Sequence, residues 1–114
     1  MIYRKEYLDL FDFIKLENKK LIETNYEKNI KKIKQNILNF ENGSNMLIEE
    51  LLYLKEKKID EYKRKKNNLK KSNFILKIIN KIQIFEDIIK IKELSNDIRY
   101  IKKIHEKNIK ELDC

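Results

Sequence analysis

Phe74-Ile-Leu-Lys-Ile-Ile-Asn-Lys-Ile-Gln-Ile-Phe-Glu-Asp-Ile-Ile-Lys-Ile91 is the stretch on which the fold turns, because it reads as either a helix or two strands. As strands, Ile78–Phe85 and Ile88–Leu94 would pair through a turn at Glu86-Asp87. A two-residue hairpin wants Gly or Asn at positive φ, and neither is there. As a helix, with residues about 100° apart, the stretch resolves into stripes. Phe74, Ile75, Ile78, Ile79, Ile82, Phe85 and Ile89 make one stripe. Ile84, Ile88, Ile91, Leu94, Ile98, Ile109 and Leu112 make a second, nearly opposite. A helix with two apolar faces needs cover on both. Residues 82–91 are therefore expected at the centre of a bundle, at a kink, or against another molecule. The second stripe, with Ile84, Ile88, Ile91, Leu94 and Ile98, is the expected oligomer or partner face.

Helical spacing extends along the rest of the chain. Tyr3, Tyr7, Leu10 and Ile14 form one apolar series, and Tyr26, Ile30, Ile33, Ile37 and Phe40 form another. Two places look like breaks. Asn42-Gly43-Ser44-Asn45 holds the one Gly and offers Ser44 or Asn45 as an N-cap; Lys71-Ser72-Asn73 offers a second cap. The spacing predicts one helical domain over 1–114, with helical stretches at about 3–41, 46–70 and 74–112. Further breaks are expected near Asn18–Asn25 or Ser95–Asn96. The expected fold is all-α: an antiparallel bundle or helical hairpin of three to five helices with short loops.

Composition narrows the function. Of 114 residues, 20 are Ile, 24 Lys and 13 Asn, half of the chain, and Pro, Ala, Val and Trp are missing. These residues use A/T-rich codons, so a low-GC genome is expected. With one Gly and no Pro the chain is neither collagen-like nor a turn-dense β-sandwich. One Cys excludes a disulfide scaffold and multi-cysteine metal sites, and no metal or cofactor is expected. Met1–Glu6 runs into Asp9 and Asp12 without an apolar leader, and no run of 18 apolar residues occurs. A cytoplasmic protein with no membrane partner is expected.

Catalytic motifs are scarce. There is no Gly-rich phosphate loop, and the adjacent pairs Glu49-Glu50, Asp60-Glu61 and Glu86-Asp87 diverge by about 100° on a helix, as solvated faces do. The chain is read as no enzyme. Arg99-Tyr-Ile-Lys-Lys-Ile-His105 resembles the Arg-x4–6-His signature of HEPN ribonucleases, small helical bundles that cleave RNA as dimers. That resemblance covers seven residues and implies a ribonuclease as the remote alternative. The periodicity itself puts His105 in an apolar stripe, as a half-buried structural histidine.

Charge carries the strongest functional signal. The net charge is +8, and between Lys55 and Lys71 nine basic residues face only Glu56, Asp60 and Glu61, a local +6. Lys55, Lys58, Lys65 and Lys66 fall on the continuation of an apolar face, where unpaired lysines are costly to bury. This segment should lie at the rim of the fold or project from it. Its lysine cluster could neutralise phosphates, with Tyr62 beside it for stacking. With three Arg in the chain, base-specific readout is not expected. The candidate binding residues are Lys55, Lys57, Lys58, Tyr62, Lys63, Arg64, Lys65, Lys66, Lys70 and Lys71. The functional expectation is a non-catalytic binding or inhibitor-type protein, engaging RNA, DNA or a nucleoprotein complex through that rim. In size and composition alone it is similar to inhibitors of CRISPR nucleases and to bacteriocin immunity proteins, which points to a phage or other mobile element. A structural, oligomeric helical protein is the alternative.

Overall fold

A computed structural model describes residues 2–71 and 73–112, with backbone alone for Ile2 and Lys70. The described chain forms two α-helices: α1 (Ile2–Asn68) and α2 (Phe74–Leu112), joined by a 3-10 turn at Leu69–Lys71. The expected bundle of three to five helices is thus corrected to a long helical hairpin. The molecule measures 70 × 17 × 16 Å, with a radius of gyration of 20.5 Å. A compact chain of this length would have about 13 Å.

A straight 67-residue helix would run about 100 Å, longer than the whole molecule. α1 shortens itself at Asn25, where the backbone leaves the helical region for an extended conformation (φ −169°, ψ 98°). Side chains hold both sides of this break. Thr24 Oγ1 donates to Lys20 O (2.8 Å), and Asn29 Nδ2 reaches across the break to Leu21 O (3.0 Å), a carbonyl of the last turn before it. Asn25 Oδ1 accepts from Lys28 N (3.2 Å), as an N-cap does. The first arm of α1 then folds back antiparallel on the second. Tyr7 meets Phe40 (ring centroids 5.5 Å) and Asn36 Nδ2 donates to Asn18 Oδ1 (2.9 Å).

The break expected at Gly43 is absent, because α1 runs through it. A Cβ on Gly43 would lie 3.2 Å from Leu10 Cδ2, so the missing side chain lets the arms approach closely, and Ser44 is buried beside it. Packing thereby overrides the roughly 1 kcal/mol that Gly costs a helix interior. α2 also runs unbroken through Ser95 and Asn96. Its start is capped by Asn73, whose Oδ1 accepts from Leu76 N (2.9 Å); Ser72 lies outside the described residues.

The first arm runs parallel to α2, from Arg4 at Asp97 (3.2 Å) to Lys15 at Glu111 (3.5 Å). One half of the hairpin is therefore three rods thick. It contains the whole main core: Tyr7, Phe11, Ile14, Phe40, Leu51, Leu94, Ile98, Ile101 and Leu112. The first arm starts beside Lys90, whose Nζ lies 5.8 Å over the Tyr3 ring. Beyond that level, among the described residues, only α1 from about 55 onward, the 3-10 turn and α2 up to about 89 remain, a two-rod tip.

Candidate functional site

At the tip, α1 and α2 meet through charge. Asp87 is 2% exposed, and both its oxygens are taken by lysines from α1: Oδ1 by Lys58 (3.2 Å) and Oδ2 by Lys65 (2.9 Å). Lys58 and Lys65 are seven residues apart, two helical turns, so they reach from one face of α1 around the same carboxylate. Lys58 also binds Glu61 Oε2 (3.1 Å). Burial would raise the Asp87 carboxyl, but the lysine hydrogen bonds and charges outweigh it and hold the carboxyl below the usual range. The hydrogen bonds that Lys58 donates to Glu61 and Asp87 raise its ammonium in turn, and Lys58 lowers Glu61. Lysines at apparent core positions are thus accommodated by a buried partner, a pairing that sequence spacing did not reveal.

Where the first arm stops, these residues border an open groove of about 620 Å³ lined by Tyr3, Lys57, Lys58, Lys65, Glu86 and Lys90, among others. The expected binding residues divide accordingly. Lys58 and Lys65 point inward to Asp87, and Lys55 and Tyr62 are half-buried. Lys57, Lys63, Arg64, Lys66 and Lys71 are exposed, with Lys66 Nζ 5.9 Å from the Tyr62 ring centre. The side chain of Lys70 lies outside the described residues. The exposed acids of the same segment are Glu56 and Asp60, so an excess of cations faces solvent.

The two stripes of α2 fare differently. Leu94 and Ile98 are buried in the chain's own core and Ile84, Ile88 and Ile91 are half-buried. The face expected for a partner is the one α1 covers. The other stripe stands open: Phe74 is 77% exposed, Ile75 68%, Phe85 64% and Ile82 56%. Periodicity finds two faces but cannot say which one the rest of the chain will take.

Arg99 and His105 are not brought together. Arg99 is exposed, whereas the His105 ring packs against Phe40 (5.3 Å) and Tyr7 (5.9 Å). Asn108 Nδ2 donates to the Tyr7 hydroxyl (3.1 Å), which also shares a hydrogen bond with His105 Nδ1 (2.9 Å). The other ring nitrogen, Nε2, is buried and unpartnered among the described residues. Burial pushes the imidazole below its usual pKa, against weaker opposing effects of Glu41 and Glu106. Cys114 lies outside the described residues.

Among the described residues no group of His, Cys, Asp and Glu has metal-binding geometry, and no helix is long and apolar enough to cross a membrane. No protein-family model, curated protein or solved structure matches this chain.

Proposed function

We propose that the protein is a non-catalytic helical binding protein that presents the basic face of its tip to a polyanion: the phosphate backbone of a nucleic acid, or an acidic face of a protein that handles nucleic acid. One observation carries this reading. Lys57, Lys63, Arg64, Lys66 and Lys71 are exposed at the thin end of the hairpin, while Lys58 and Lys65 are already paired with Asp87. The exposed set is what remains for a partner. Contacts of this kind release counterions, so the binding is sequence-independent and salt-sensitive.

The test is fluorescence anisotropy with generic RNA and DNA across a salt series. Reversing Lys63, Arg64, Lys66 and Lys71 to Glu should abolish binding of whichever polymer the wild type holds, with helicity by circular dichroism unchanged. Neutralising them to Gln should lower the log–log salt slope by about 0.9 for each phosphate that is no longer neutralised. Recovery of a protein partner from the native host, before and after nuclease treatment, separates the two kinds of polyanion. Wild-type and reversed chains capturing the same partners equally well would overturn the reading.

A further inference from the structure

The open stripe of α2 follows a seven-residue repeat. Ile75, Ile78, Ile82, Phe85 and Ile89 are spaced three, four, three and four residues apart, the a and d positions of a coiled-coil seam. All five are exposed, together with Phe74 and Ile79 on the flanks. The seam stops abruptly. Its next positions, Lys92, Asn96, Arg99 and Lys103, are polar and exposed on the three-rod half. The apolar patch is thus confined to the tip, over about 24 Å of helix.

We infer that this seam docks a second copy of the same chain, the two α2 tips running parallel. These seven side chains are 43–77% exposed. They make an apolar patch on the order of 800 Å² at most, above the ~300–600 Å² of the largest patch on a typical monomer. That area is an upper limit on what this face could bury, close to the ~800 Å² per partner of a standard interface. Charge on the flanks of the apolar patch favours this direction, provided that the two chains part beyond Ile89, before Lys92, Arg99 and Lys103 would meet their own copies. In a parallel pair, a g position of one helix faces the e position five residues later on the other. Lys81 occupies g and Glu86 the e position five residues on, both exposed, so each Lys81 meets the second copy's Glu86 on both sides of the seam. Phe74 and Ile79 stand in the same relation one heptad earlier, an apolar flanking contact. An antiparallel pair sets like flanks together, bringing Lys81 against Lys81 or an isoleucine and leaving Glu86 without a cation. The inference does not rest on the polyanion reading, since it uses α2 and the basic rim is on α1 and the turn after it.

Sedimentation should show a concentration-dependent dimer that Ile82→Lys or Phe85→Lys converts to monomer. Both side chains are exposed, so helicity and melting of the dilute chain should stay as in wild type. Lys81→Glu should weaken the dimer roughly tenfold or more, and Lys81→Glu with Glu86→Lys should restore it. For direction, Ile75→Cys in a Cys114→Ser background should oxidise to a disulfide-linked dimer with itself. A strict monomer at hundreds of micromolar overturns the inference, as does a monomer that binds anionic lipid vesicles through the same residues. Cross-linking of Ile75→Cys to Phe85→Cys in a mixed sample, but not to itself, overturns the parallel arrangement. Equal loss of affinity in the single and the charge-swapped double variant overturns the Lys81–Glu86 pairing.

Discussion

The two halves of the hairpin use the same residue types to opposite ends. In the three-rod half, aromatic and aliphatic side chains converge on Tyr7, Phe40, Leu51 and Ile101, each 0% exposed. Polar groups inside that half are few and mostly paired: Arg4 with Asp97, Asn18 with Asn36, and Tyr7 between His105 and Asn108. In the tip, helices of similar composition bury little apolar surface against each other. Their contact centres on the carboxylate of Asp87 between Lys58 and Lys65, with Ile59, Ile84 and Ile88 half-buried around it, while the Ile75, Ile78, Ile82 and Ile89 stripe faces outward. What differs is the presence of a third rod. Two helices can cover only one stripe of each other, whereas a third closes the core and leaves fewer faces open.

The sharpest way to break this comparison is to truncate an aromatic in each half. Phe40→Ala should destabilise the chain by about 3–5 kcal/mol, while Phe85→Ala, at low protein concentration, should change stability by less than about 0.5 kcal/mol. Equal losses in urea melts would mean that the tip is as tightly packed as the core. Next in size is the ionic clasp. Asp87→Asn leaves two half-buried ammonium groups side by side, at a cost of about 1–3 kcal/mol, reduced from the value for fully buried pairs because water reaches the lysines. Hydrogen exchange should then rise in 55–68 and 74–89 before it rises near Tyr7. Because the folded Asp87 carboxyl titrates below its unfolded value, its stabilisation is complete above about pH 4 and lost as pH falls further.

A smaller effect separates the halves by pH. The folded His105 imidazole also titrates below its unfolded value, so its contribution is complete above about pH 6.5 and declines as pH falls from there. A charged imidazole would be half-buried against the Phe40 and Tyr7 rings, where loss of water disfavours it. Stability should therefore slope downward as pH falls below about 6.5, and His105→Phe should flatten that slope whatever its effect at pH 8. An unchanged slope would remove His105 as its cause. The smallest expected change is a gain. Gly43→Ala should stabilise by about 0.5–1 kcal/mol through helix propensity, because Leu10 borders an open cavity of about 470 Å³ into which its methyl can shift. A loss in thermal melts would show that the arm contact at Gly43 cannot relax.

Much of this was legible in the residues. Helical spacing in 74–112 and the Asn73 cap define α2, and the lysine excess in 55–71 marks the segment that leaves the core. The placement of the breaks was less legible. Gly43 advertises an interruption but serves as a close contact, while the chain reverses at Asn25, inside the Asn18–Asn25 stretch where a further break is expected. Local propensity ranks Gly above Asn as a breaker; the packing of Tyr7 and Phe11 on Phe40 decides otherwise. Asp87 reads as half of an ordinary solvated acidic pair, and nothing nearby in sequence names Lys58 and Lys65 as its partners.

The sequence by itself determined that the chain is helical, that α2 carries two apolar faces, and that the basic charge is concentrated before residue 72. These follow from periodicity and composition, which are local properties of the chain. Only the tertiary structure decided which face is spent inside the molecule, because that depends on where α1 folds back and how far its first arm reaches. That arm, with Tyr3 beside Lys90, thickens one half into a core, and among the described residues the tip carries its lysines and one isoleucine stripe in the open.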